Sequence, residues 1–325
     1  MTQKICIISF DHWNYDKHIV TALQKRGIDS FHIKIGGFKH KSIWARIHNT
    51  FSKIFFGKNP KLKKRQEYII KTLQEKGIQD QILVINPELI DKQYHLQIKS
   101  FSKKYIAYLY DSIERCPVEH LLDGIFDEIF SFDRADVTKY NFKETTNYNY
   151  IEAINTDCSK IKNDVLYIAS FDNRIYKLLS LKEQFKKLNL KCRFIIIGKK
   201  AILFKIKSKF SNLTEGIELR RKRIKQNDLK NLYLETKVVL DIVRENQSGL
   251  SFRIFEAMAF ERKIITNNQN VKHYDFYNSN NIMVIENENY TFDHSFFTTK
   301  YDSLPSEIYN KYTLSNWLNT IFNLQ

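Results

Sequence analysis

The sequence predicts an α/β protein with two Rossmann-like domains that face each other across a cleft. Strand-length apolar runs alternate with amphipathic helix-length runs, and this alternation restarts halfway along the chain. A length of 325 residues, 43% of them hydrophobic, suffices for two cores. We expect a first domain over residues 1–155, a second over 156–305, and a closing segment, 306–325, whose helix can cross back to the first domain.

The first half alternates short apolar runs, which predict buried strands, with runs of 3.6-residue period, which predict helices. The predicted strands are Ile5–Phe10, Ser30–Ile35, Gln81–Asn86, Tyr105–Leu109 and Phe126–Phe132, and the predicted helices are Lys17–Gly27, Gln66–Gly77 and one that begins near Asp133. Strands that alternate with helices imply a parallel sheet with crossover connections.

The second half repeats the alternation after a junction near residues 152–162. The predicted strands are Asp164–Ala169, Arg193–Ile197, Ile217–Leu219, Val238–Ile242, one at Ile264 and Ile282–Ile285, and the predicted helices are Arg174–Leu188, Asp228–Glu235, one after Gly249 and Ser306–Phe322. Ligands of such sheets bind beyond the carboxyl ends of the strands, so we expect the site there.

The composition of the chain indicates where in the cell the protein works and which class of partner it binds. Four scattered cysteines without a CxxC pair (Cys6, Cys116, Cys158 and Cys192) indicate reduced thiols and no metal site. The chain begins with a strand pattern, and no apolar run reaches the roughly 20 residues of a membrane span, so we expect a cytoplasmic protein. A net charge of +16 favours a polyanionic partner: nucleic acid, an anionic membrane or an anionic glycan.

Residues 248–267 carry the strongest chemical signal. Gly249 leads into a short helix with Arg253 and Glu256, and an apolar strand follows at once. The N–H groups at such a helix start can bind a phosphate, an arginine can fork onto its oxygens, and a glutamate can accept from ribose hydroxyls. The pattern therefore suits a ligand with both phosphate and sugar groups. A plain ion pair of Arg253 with Glu256 is the structural alternative.

The same stretch resembles the donor-site signature of GT-B glycosyltransferases. Glu256-Ala257-Met258-Ala259 matches the second glutamate of that signature, Gly249-Leu250 matches its turn, and Ser248 stands where the first glutamate is usual. The phrase from Gly249 to Ala257 is similar to a bacterial subgroup, the CgeB-like and lipopolysaccharide- or capsule-type enzymes. The resemblance implies a nucleotide-sugar donor, a metal-independent reaction without a cofactor, and a glycan or glycolipid acceptor.

Two further arginines follow predicted strands of the second half. Arg174 comes after the first of them, in the turn that often supplies a phosphate-binding arginine in glycosyltransferases of this fold, and Arg244 follows Val238–Ile242. The alternative for the first turn is that Asn173 or Asp172 is a plain helix cap, and the alternative for Arg244 is a surface-loop arginine. The candidate donor-binding residues are Arg174, Arg244, Ser248, Gly249, Leu250, Arg253 and Glu256.

The first half offers candidates for a catalytic base. Asp11, His12 and Asp111 follow predicted strands, where a base near an acceptor hydroxyl is expected, and Asp111 is favoured. For the two aspartates the alternative is a helix cap, and for His12 a solvated loop.

Residues 34–65 contain ten Lys or Arg and no Asp or Glu, with apolar residues at helical spacing. This pattern predicts an amphipathic helix with a basic rim, suited to an anionic membrane surface or a lipid-linked acceptor. Packing on its own sheet is the alternative. The docking candidates are Trp44, Arg46, Phe51, Lys53 and Phe55.

The sequence thus favours a glycosyltransferase, peripheral on the inner face of the cytoplasmic membrane, that extends a bacterial surface glycan such as lipopolysaccharide or capsule. One alternative is a non-enzymatic nucleic-acid-binding protein, which the charge favours. Because the sequence shows no helix-turn-helix, RNP or zinc pattern, no nucleic-acid partner is expected. A nucleotide-sugar epimerase of the same fold is the other alternative.

Overall fold

The computed structural model describes residues 2–11, 13–37, 59–151, 160–207, 214–245, 247–286 and 290–324. The chain forms two compact units. The first comprises residues 1–146 together with 314–325, and the second comprises residues 147–313.

The first unit is built on a parallel sheet in which the strand order is β2-β1-β3-β4-β5-β6. The strands are β1 (Lys4–Ser9), β2 (Asp29–Lys34), β3 (Gln79–Ile85), β4 (Ser102–Leu109), β5 (Glu128–Ser131) and β6 (Lys143–Glu144). Cys6 of β1 lies opposite Phe31 of β2 on one side and Ile82 of β3 on the other. The chain therefore builds outward in two directions from β1, which makes the β1/β3 boundary a topological switch point.

In the described part of the first unit, four helices connect these strands: α1 (Asp16–Lys25), α2 (Pro60–Lys76), α3 (Lys92–Lys99) and α4 (Arg134–Tyr140). Helix α2 begins six residues before the predicted start at Gln66. Pro60 supplies a fixed φ at its first turn, and the Asn59 side chain accepts from the Leu62 N–H at 3.2 Å. Asp133 caps α4 by accepting from the N–H groups of Ala135 and Asp136.

The second unit holds a parallel sheet in the order β12-β11-β10-β7-β8-β9. Its strands are β7 (Asn163–Ser170), β8 (Cys192–Ile197), β9 (Ile217–Arg220), β10 (Thr236–Asp241), β11 (Lys263–Thr266) and β12 (Ile282–Val284), and its helices are α5 (Arg174–Lys187), α6 (Lys199–Lys207), α7 (Gln226–Leu234), α8 (Phe252–Ala259), α9 (Ser295–Thr298) and α10 (Ser306–Lys311). Starting from β7, the chain adds β8 and β9 on one side of this strand, and it then adds β10, β11 and β12 on the other side. The switch point of this sheet is the β7/β10 boundary.

The last predicted helix, Ser306–Phe322, is divided into α10 and α11 (Leu314–Phe322). The backbone of Asn149 occupies the break between the two helices. Its N–H donates to the Tyr312 carbonyl at 2.7 Å, and Asn149 forms an isolated parallel β-bridge with Thr313. Helix α11 belongs to the first unit. There Trp317 packs edge-on against Tyr108 of β4, and Gln81 of β3 donates to the carbonyl of Phe322.

Each sheet carries its own buried core. In the second unit, Leu178, Leu181 and Phe185 of α5 pack with Val165 and Phe194 of the sheet. In the first unit, Ile69 and Leu73 of α2 belong to the same buried cluster as Ile82, Val84 and Ala107. The prediction of two Rossmann-like domains is confirmed.

Candidate functional site

The switch point of the second sheet is bordered by the loops that follow β7 and β10. The first loop leads into α5, and the second leads through residues 242–251 into α8. Adjacent loops at such a boundary leave on opposite faces of the sheet and open a crevice between them. The charged residues predicted to bind the donor, Arg174, Arg244, Arg253 and Glu256, come after these two strands in the chain.

Arg174 and Arg244 meet on one carboxylate, that of Asp172. Arg174 makes a bidentate pair with it, through Nε to Oδ1 at 2.8 Å and Nη2 to Oδ2 at 2.7 Å, and Arg244 Nε reaches Oδ2 at 3.2 Å. Arg174 Nη1 also donates to the carbonyl of Ile242, which ties the two loops together. Burial alone would raise the pKa of Asp172, but the hydrogen bonds and charge of Arg174, with the charge of Arg244, lower it. Two cations on one anion leave a net positive charge at the switch point.

A second charged cluster lies at the start of α8. Asp241, the last residue of β10, is buried, and its Oδ1 accepts from Ser251 Oγ at 2.8 Å and Arg253 Nε at 3.0 Å. Its Oδ2 is buried with no hydrogen-bond partner among the described residues. Arg253, placed by the sequence on a phosphate or on Glu256, therefore pairs with Asp241.

Glu256 is buried on α8, with 1% of its surface exposed. Its Oε1 accepts from the Tyr150 hydroxyl and its Oε2 from the Tyr233 hydroxyl, both at 2.6 Å. The Tyr233 ring stacks on Phe260 at a centroid distance of 5.2 Å, which fixes the phenol. The two phenols solvate this buried carboxylate, which still has lone pairs for further donors.

The turn before α8 is held by asparagine side chains. Asn268 Nδ2 donates to the carbonyls of Ser248 and Gly249, at 3.2 and 3.1 Å, and Asn147 Nδ2 donates to that of Leu250 at 2.8 Å. Leu250 is itself buried. Three of the residues predicted to bind the donor, Ser248, Gly249 and Leu250, thus lie in a turn that is fixed by hydrogen bonds to its backbone.

In the first unit, the predicted aspartates lie at the carboxyl edge of the sheet. Asp11, with a positive φ of 47°, pairs with Lys34 at 2.9 Å, and Asp111 pairs with Arg115 at 3.4 Å. His12 and the docking candidates Trp44, Arg46, Phe51, Lys53 and Phe55 lie outside the described residues.

Two carboxyl groups at this edge were not among the predicted candidates. Asp16 opens α1 after β1, and burial raises its pKa to about 6. Glu88 follows β3, and burial, with the nearby charge of Asp111, raises its pKa to about 7. The only sequence signal for either is its position shortly after a predicted strand.

In the described part of the chain, no helix is long and apolar enough to cross a bilayer. Nor do three or more His, Cys, Asp or Glu side chains among those residues form a group suited to a metal ion.

A family model described as "Glycosyl transferase-like" matches residues 179–295, which include β10 and α8. No curated protein is significantly similar in sequence to this chain.

Solved structures with the same fold cover nearly the whole chain. HepE of Anabaena, in complex with UDP and glucose, is 10% identical with a TM-score of 0.60 over 100% of both chains. OtsA in its apo form is 10% identical with a TM-score of 0.60, over 99% of this chain and 98% of that one. An alpha-glucosyltransferase in complex with UDP and a 13-mer DNA containing an HMU base is 12% identical with a TM-score of 0.59, over 92% and 89%.

At these identities the likeness establishes the fold, which is GT-B. The matched domain and this fold together support an enzyme of the glycosyltransferase class.

Proposed function

We propose that the protein transfers a sugar from a nucleotide-sugar donor to a glycan acceptor, and that the second domain binds the donor. The observation that carries the proposal is the pair of arginine–aspartate clusters at the β7/β10 switch point, next to the start of α8. Two of the structures with the same fold contain UDP, which supports a nucleoside diphosphate as the leaving group of the donor.

The arginines account for recognition of a diphosphate. Asp172 orients Arg174 and Arg244, and the cluster keeps a net positive charge that a diphosphate would neutralise. Because α8 begins directly after this loop, its first N–H groups and Arg253 add to the field. These groups would also stabilise the charge that develops on the leaving diphosphate, so we expect no metal requirement.

We propose that Glu256 accepts a hydrogen bond from a ribose hydroxyl of the donor. Both oxygens already hold a phenol, so a ribose must use a remaining lone pair or displace the half-buried Tyr150. The turn formed by Ser248, Gly249 and Leu250 would pack against the same nucleotide.

For the acceptor we propose a bacterial surface glycan, lipid-linked, of the lipopolysaccharide or capsule kind. The support is the resemblance of the Gly249–Ala257 phrase to the subgroup that makes such glycans, together with the ten basic residues and no acidic residue of 34–65. The protein would then work at the cytoplasmic face of the membrane, held there peripherally by its charge.

A nucleic-acid partner is the second candidate, favoured by the net charge of +16 and by the DNA in one structure of the same fold. The two candidates differ in what binds the second domain, because a pure nucleic-acid binder has no need of a sugar nucleotide.

A ligand panel tests the proposal. UDP-, GDP-, CMP- and ADP-linked sugars should be screened by thermal shift, and one class should raise the Tm. Arg174→Gln should weaken that ligand about 10- to 100-fold, the loss of one charge-assisted contact. Lys186→Gln removes an equal charge from the exposed far end of α5 and should leave binding unchanged. No stabilisation by any donor, or equal effects of the two substitutions, would refute the proposal.

A further inference from the structure

A second polar cluster lies at the carboxyl edge of the first sheet, next to the β1/β3 switch point. It joins β1, β2, β4 and the start of α1. The Tyr110 hydroxyl donates to Asp16 Oδ1 at 2.6 Å, and Ser9 Oγ lies 2.8 Å from His32 Nε2. The Ser9 hydroxyl also lowers the pKa of Asp16. Ser9 and Asp16 are buried, whereas Tyr110 and His32 are half-buried.

The hydrogen-bonding capacity of the Asp16 carboxylate is only partly used by the described residues. Its Oδ2 is buried without a hydrogen-bond partner among the described residues. Lys34, whose charge lowers the pKa of Asp16, is engaged by Asp11 Oδ2 at 2.9 Å and by Asn14 Oδ1 at 2.8 Å. Asp11 Oδ1 in turn accepts from the Asp16 N–H at 3.1 Å. A buried carboxylate beside a second carboxylate has a raised proton affinity.

Among the described residues, the groups that act on the pKa of Asp16 are Ser9, Tyr110, Asp11 and Lys34. Burial has the largest effect and raises this pKa. Ser9, Tyr110 and the Lys34 charge lower it, whereas the Asp11 charge raises it further. Burial also lowers the pKa of the neighbouring His32 imidazole. The pKa of Asp16 is thereby raised to about 6. At pH 7 the carboxylate is ionised yet able to take a proton with little penalty.

We propose that Tyr110 and Asp16 form a proton relay that takes the proton of the acceptor hydroxyl during glycosyl transfer. The proposal rests on the proposed function. Tyr110 contacts the acceptor, and Asp16 acts through Tyr110 as a positioning residue that also receives the proton. Asp11, which accepts from the Asp16 N–H, holds Asp16 in place.

The step is balanced. The acceptor O–H bond breaks and its proton passes to Tyr110 Oη, while the phenol proton passes to Asp16 Oδ1. The electron pair left on the acceptor oxygen forms the bond to the anomeric carbon. The bond from that carbon to the nucleoside diphosphate breaks, and the diphosphate leaves with its electron pair. The negative charge thus moves from Asp16 to the leaving group.

The pH profile of kcat tests this relay with saturating donor between pH 5 and 9. For the wild type, kcat should fall below about pH 6, as Asp16 becomes protonated. Asp16→Asn should lower kcat at pH 7.5 about 100-fold or more and remove this acid limb, while the dissociation constant of the donor stays unchanged. Asp16→Glu should keep part of the wild-type kcat. Tyr110→Phe in the otherwise wild-type protein should lower kcat as Asp16→Asn does.

The exposed Asp123 supplies the matched control, since Asp123→Asn should keep both rate and profile. Circular dichroism identifies any variant that fails to fold, and the Tyr110 variant then decides. If Asp16→Asn keeps the wild-type kcat and acid limb, the relay is wrong while the proposed function stands. If the wild type binds no donor, both are overturned.

Discussion

At the residue scale, the two domains hold their carboxylates in different ways. The half-buried Asp172 is paired with two arginines, and its pKa is lowered although partial burial alone would raise it. Asp16 forms no ion pair among the described residues, and burial raises its pKa to about 6. Because a shifted pKa is also a stability term, Asp16 should leave a signature in the free energy of unfolding that needs no substrate.

The sign of that signature follows from the two states. The unfolded chain releases the Asp16 proton near pH 3.8, whereas the folded protein keeps it to about pH 6. The folded state binds more protons between these values, so the free energy of unfolding falls as pH rises through that window, by up to about 3 kcal/mol for this group. Urea unfolding should show Asp16→Asn gaining on the wild type by about this amount between pH 3.5 and 7.5. A pH-independent difference would show that Asp16 is not the titrating group.

At the element scale, α8 is the helix that organises the second-domain site. Asp241 holds Ser251 and Arg253 at its start, and Tyr150 and Tyr233 hold Glu256 in its middle. The helix is buried over Ile254–Ala259, so its one internal carboxylate depends on donors from other elements.

Tyr233→Phe should therefore destabilise the second domain. The change leaves a buried carboxylate oxygen without its phenol donor, at a cost of about 1–3 kcal/mol, and Tm should fall by several degrees. Tyr176→Phe, which removes a hydroxyl that is mostly exposed, is the control and should leave Tm unchanged. An unaltered Tm in Tyr233→Phe would show that the stacked ring, and not its hydroxyl, holds α8.

Local patterns predicted every described strand except β6, because each of the others is a short, largely apolar run between turns. The parallel order, which sets the switch points, brings the predicted Arg174 and Arg244 onto Asp172. Pairings across long sequence separations left no local trace. Tyr150 and Glu256 are 106 residues apart, and Asp16 and Tyr110 are 94 apart. The short helices α3, α6 and α9 were missed as well.

At the scale of the whole molecule, the chain has 52 basic and 36 acidic residues, and this positive charge favours a polyanionic partner. We expect that polyanion to be a membrane surface. Replacing Trp44, Phe51 and Phe55 with serine should release the protein from sedimented vesicles that contain anionic lipid, and uncharged vesicles provide the control. If the triple variant still sediments with anionic vesicles, the predicted docking helix is wrong.

The central claim is that the β7/β10 switch point binds the diphosphate of an activated sugar. Calorimetric titration tests it most directly, with the nucleoside diphosphate, monophosphate and free nucleoside of the donor that the panel identifies. The diphosphate should bind the wild type most tightly, and Arg174→Gln should remove most of its advantage over the nucleoside while Lys186→Gln keeps it. Equal affinities of the wild type for all three compounds would contradict the account.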